Sequence, residues 1–154
     1  MKKGMQLLGL AALLFAFAHI FWNWSDIPNR VPQHYNFAGE VDAWASKWFI
    51  LFPPTIGLVI WLGVQLAFRF PDAINMMDVP QERNEKQRNI ATVMMRCIQL
   101  EVALLFSYLS VKDVYVAKGE AFGFNTWETP LFFFILIGTA VGFSIYSFTQ
   151  KNNR

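Results

Sequence analysis

The side chains best equipped for chemistry fall in one polar run, Asp26 to Lys47, set between two apolar stretches. Within it His34, Asn36, Asp42 and Lys47 supply an imidazole, an amide, a carboxylate and an ammonium, so donors and acceptors of both charges lie close together in the chain. Such a set suits recognition of a peptide, a lipid headgroup or an ion. No resident metal is expected, because two histidines and one nearby carboxylate fall short of a recognisable ligand spacing. No cofactor is expected either. There is no phosphate-binding glycine loop, and Ser46 beside Lys47 is the nearest approach to a nucleophile and base.

Two further ionisable groups, His19 and Glu101, lie inside apolar runs. An ionised side chain at the bilayer centre costs about 2.5–3.5 kcal/mol on insertion scales, so each calls for a partner or a cavity. Arg96 is a poor partner for Glu101, since five residues correspond to about 140° around a helix of 3.6 residues per turn. Depth counted from the starts of the apolar runs, at 1.5 Å per residue, brings His19 and Glu101 within about 5 Å of one level. They can then pair if the first and third helices are neighbours; otherwise Glu101 is protonated or bonded to a serine or a carbonyl. At helical spacing Cys97, Glu101, Leu105, Tyr108 and Lys112 form one stripe.

The elements that must position these groups are membrane helices. Of 154 residues 55% are apolar and only 16% charged, which is too apolar for an ordinary soluble domain and too short for more than one domain. Apolar stretches at 5–24, 48–70, 90–111 and 130–148 are each long enough to cross a hydrocarbon core of about 30 Å. The sequence therefore predicts an all-α polytopic membrane protein, a single domain over residues 1–154. The first stretch is expected to be retained as a helix, because His19, Trp22, Asn23 and Trp24 offer no small-residue cleavage site. Asp78, Pro80, Gln81 and Glu82 suggest that the third helix starts before it enters the membrane, and Lys112 to Thr129 reads as a loop.

Flanking cations set the expected orientation. Lys2, Lys3, Arg69, Arg83, Lys86, Arg88, Lys151 and Arg154 fall on one side, against Arg30, Lys47, Lys112 and Lys118 on the other. By the positive-inside rule this predicts a multi-pass cell-membrane protein with both termini cytoplasmic and the His34 loop outside. Trp22, Trp24, Trp44, Trp48 and Trp127 gather near the outer ends of the spans, where an indole prefers the interface. The net charge of +2 is dispersed between apolar runs and no nucleic-acid motif is present, so a nucleic-acid partner is excluded. The single cysteine, Cys97, rules out a disulfide within the chain.

Within the polar run, Pro28 and Pro32 imply extended chain, and Asn36 to Gly39 a turn in which Gly39 takes positive φ. Asp42 is placed to cap a short interfacial helix. The order Pro32, His34, Tyr35, Asn36, Gly39, Asp42, Trp44, Ser46, Lys47 resembles the signature of a bacterial membrane domain of unknown function. That domain stands at the N-terminus of the immunity protein family against sporulation-delaying-protein toxin. The resemblance spans roughly residues 20 to 60 and implies toxin immunity or signalling as a role. On this reading His34, Asn36, Asp42 and Lys47 bind, while Pro32, Tyr35, Gly39 and Trp44 shape the loop.

Three function classes follow. Binding or sensing of an extracellular ligand uses the most distinctive residues. A small transport component would rely on Glu101 and His19, and a membrane enzyme has the least support. Lipid is the certain neighbour; residues 72–89 offer a charged face for a cytosolic partner, and Gly138 and Gly142 form a small-xxx-small pattern able to seat a second copy.

Overall fold

The computed structural model describes residues 2–36, 38–69, 85–120 and 127–152. Helix α1 (Lys2–Trp22) leads into a β-hairpin of β1 (Arg30–Tyr35) and β2 (Val41–Ser46). A 3-10 turn (Lys47–Leu51) feeds α2 (Phe52–Arg69), followed by α3 (Glu85–Ala117) and α4 (Glu128–Asn152). Four segments are long and apolar enough to cross a membrane: Lys3–Trp22, Lys47–Arg69, Asn89–Ala117 and Pro130–Gln150. The all-α polytopic architecture expected from the sequence is thus the one found. The hairpin is a small addition to it.

Helix α3 is the hub. It packs against α1, α2 and α4, whereas α4 meets no other described element. Pairing of Gly9 with Ala103, and of His19 with Tyr115, shows that α1 and α3 run in the same direction. Helix α2 runs the opposite way, matching Trp61 to Gln99 and Gln65 to Arg96.

Gly57 makes the closest of these approaches. A Cβ there would lie 2.7 Å from Leu13 Cδ2 on α1 and 2.7 Å from Phe106 Cβ on α3, so three helices meet at its missing side chain. Gly57→Val is expected to lower stability by about 1–3 kcal/mol through overpacking, read as an earlier thermal midpoint in detergent. Gly63 faces open space on the same helix, so Gly63→Ala should leave the midpoint unchanged or raise it. Equal behaviour of the two variants would overturn this account of the packing.

Two expectations are corrected. The segment after Val111 is not yet a loop, since α3 continues through Lys112 and Asp113 to Ala117 before Gly119 turns the chain at φ +79°. These two charged residues stay helical because both are buried against partners described below. Nor does Asp42 cap a helix: it lies in β2, and the 3-10 turn starts five residues later. Residues 70–84 and 121–126 lie outside the described residues, and with them the cap from Asp78 to Glu82 and most of the charged 72–89 face.

Candidate functional site

The hairpin owes its shape to a few local bonds. Asn36 Oδ1 accepts from the amides of Ala38 and Glu40 at 2.9 and 3.0 Å, and Gly39 takes φ +76° as the turn requires. The strands pair antiparallel, with register shifts on either side of His34. Those irregularities bring His34 Nδ1 to 2.6 Å from Asp42 Oδ1, with the two side chains 67% and 43% exposed. An acid and an imidazole are therefore joined at the hairpin surface.

The hairpin is seated on the helix ends. Val31 and Ile27 join Ile20 of α1, Ile50 of the 3-10 turn and Val114 of α3 in one buried apolar cluster. Lys47 closes the excursion: its amide donates to the Asn29 carbonyl at 2.9 Å, and its ammonium donates to the Trp24 carbonyl and lies 4.7 Å from the Trp24 ring centroid. Trp48 packs on Trp24 with ring centroids 5.0 Å apart.

The four expected ligand-binding residues thus separate. His34 and Asp42 stand together and exposed, while Asn36 is occupied in forming the turn and Lys47 in tying the hairpin to the turn that follows α1. Of the shaping residues, Gly39 holds the turn and Trp44 stands opposite Pro32 across the ladder. Tyr35 does something the sequence did not suggest.

Its hydroxyl donates to Asp113 Oδ1 on α3 at 2.7 Å, across 78 residues of sequence. Beside it, Lys112 Nζ lies 4.7 Å from the Tyr35 ring centroid and donates to Glu128 Oε2 of α4 at 2.5 Å. The other Glu128 oxygen accepts from Tyr108 at 2.8 Å. The Lys112 and Glu128 side chains are 8% and 7% exposed, and Asp113 is 7% exposed, so this is a buried polar cluster. Burial first, then the Asp113 carboxylate, pushes the Tyr35 phenol well above its ordinary pKa, which keeps it a hydrogen-bond donor. Asp113 and Glu128 escaped the sequence reading because they sit at span ends, where charges are unremarkable. The one available signal was the stripe ending in Tyr108 and Lys112.

Glu101 and His19 do not come together. Glu101 Oε1 accepts from Thr139 of α4 at 2.6 Å, while His19 lies between Phe15 and Tyr115 at ring distances of 6.0 and 5.7 Å. Tyr115 is 14 residues from Glu101 along α3, roughly 21 Å at 1.5 Å per residue. Counting depth from Met5 and Ile90 sets those two residues level, whereas Gly9 packs beside Ala103 and His19 beside Tyr115, so the start of α1 lies level with α3 well past Ile90. His19 Nδ1 and Glu101 Oε2 are both buried without a hydrogen-bond partner among the described residues.

At the opposite end of the bundle Arg96, 7% exposed, binds the side-chain oxygens of Gln65 and Gln99 at 2.9 and 2.8 Å and stacks 3.9 Å from the Phe68 centroid. With its amide oxygen turned inward, Gln6 of α1 lies 2.7–2.9 Å from the guanidinium nitrogens. Gly138 and Gly142 lie on α4, where an added Cβ meets nothing within 4 Å. No cluster of metal-ligating side chains occurs among the described residues.

Fold and site together define a multi-pass membrane protein that carries an ordered hairpin over a buried charged cluster. A family model described as a domain of unknown function, DUF1648, matches residues 11–58, which take in the second half of α1, the hairpin and the start of α2. No curated protein and no solved structure matches the chain.

Proposed function

We propose that the hairpin reads a ligand outside the membrane and passes its state to the helices through Tyr35. The observation that carries this reading is the Tyr35–Asp113 hydrogen bond, directly after the exposed His34 in the same strand. A plain interfacial anchor needs apolar seating and no such bond. The exposed His34 and Asp42 pair offers an acceptor and a donor to a peptide or headgroup. Toxin immunity or signalling is the role that the family resemblance implies. A proton or solute relay through His19 and Glu101 has weaker support, because the two groups lie far apart along the bundle.

The test has two arms. In a Cys97→Ala background, Glu40→Cys should react with a membrane-impermeant maleimide in intact cells and Lys3→Cys should not; the reverse result would put the hairpin inside. Cells bearing the wild-type chain should then outlive cells without it on challenge with secreted membrane-active peptides. His34→Ala and Asp42→Ala should lose at least tenfold of that survival at unchanged membrane levels, since exposed groups rehydrate when truncated. Full protection by both variants would leave the hairpin as an anchor only.

A further inference from the structure

Between α3 and α4 lies a cleft of about 300 Å³, separate from the hairpin surface. That volume is at the lower end of small-molecule pockets, which run roughly 300–1,000 Å³. Its walls are carbon, from Leu104, Leu105, Leu131 and Phe132, and a carboxylate stands at each end. The two carboxylates differ. Glu128 at the hairpin end has both oxygens engaged, by Lys112 and Tyr108. Glu101 has one oxygen held by Thr139 and the other buried with no donor among the described residues.

We propose that this cleft binds an amphiphile with a single cationic amine head and an apolar body, the head meeting Glu101. An apolar wall alone would accept any lipid chain, but an acceptor in low dielectric without a donor favours a cation strongly over a neutral group. One such oxygen argues for one charge. Binding requires the Glu101 carboxylate to turn so that this buried oxygen faces the cleft its own side chain lines. Pairing of Glu128 with the Lys112 ammonium leaves it no free charge to serve as a second anionic anchor for a dication.

The probe is radiolabelled decylamine, titrated onto the full chain in phosphatidylcholine nanodiscs with empty nanodiscs subtracted, beside decanol as the neutral chain of equal length. Wild type should bind the amine saturably at one site per chain and show no saturable decanol binding. Glu101→Gln, which keeps the Thr139 bond and the side-chain shape, should weaken amine binding at least tenfold. Leu104→Trp, at a wall position 43% exposed, should do the same by filling the cleft. Equal binding of amine and decanol would show a gap filled by lipid chains and overturn the proposal. So would unchanged affinity in either variant.

Discussion

Glu128→Leu is expected to destabilise the protein by about 3–5 kcal/mol, the usual cost of stranding one member of a buried ion pair. The Lys112 ammonium is 8% exposed and its hydrogen-bonded anionic partner is Glu128, so the variant removes that partner and leaves only the attraction of Asp113, a carboxylate already bonded to Tyr35. Tyr108 loses its acceptor at the same time. The expected readout is a sharp fall in monodisperse protein after extraction and a lower midpoint in denaturing detergent. Lys112→Met in the same chain should recover most of the loss, because replacing both members of a buried pair by apolar groups is often neutral or stabilising. A Glu128→Leu variant as stable as wild type would mean that Lys112 is hydrated in the membrane.

Arg96→Met should be comparably damaging at the other end of the bundle. Three glutamine oxygens, one each from α1, α2 and α3, converge on the guanidinium. A buried acceptor left without a donor costs about 1–3 kcal/mol, so the buried Gln99 with smaller contributions from the half-buried Gln6 and Gln65 gives an expected loss of about 3 kcal/mol. Arg96→Lys should recover only part of it, since an ammonium lacks the planar fork that serves several acceptors at once and the flat face that stacks on Phe68. Thermal midpoints of the three proteins in one detergent would order them wild type, Lys, Met; a Met variant at the wild-type midpoint would remove Arg96 from its structural role.

The spans were legible because twenty apolar residues in a row admit few other readings, and Gly39 announced its positive φ by standing after Asn36 in a turn. Of the stripe from Cys97 to Lys112, Glu101, Leu105, Tyr108 and Lys112 face α4 or its cleft. What it lacked was the identity of the far side. Thr139 and Glu128 belong to another helix, and periodicity within one helix is silent about which neighbour it meets. The second strand is hard to tell from a capped turn because Asp42, Ala43, Ala45 and Ser46 carry little strand preference, and its strand form comes from cross-strand pairing with residues 6 to 16 positions earlier. Asn36 and Lys47 looked like ligands by side-chain type alone. Their engagement by nearby backbone groups is a three-dimensional fact.

Helix α4 touches the rest of the described chain only through α3, and its polar attachments include Glu128 to Lys112 and Tyr108, and Thr139 to Glu101. These lie 11 residues apart, about 16 Å or three helical turns. In hydrocarbon, lipid tails solvate leucine as well as another helix does, so association rests on close packing and polar bonds. Among the described residues the chain is in this sense a three-helix body with a fourth helix moored to α3 by these polar bonds. Change in the lineage of such a protein falls most easily on the mooring: a few substitutions at Lys112, Glu128, Glu101 or Thr139 can loosen or exchange α4, while α1, α2 and the hairpin keep every contact they make with one another.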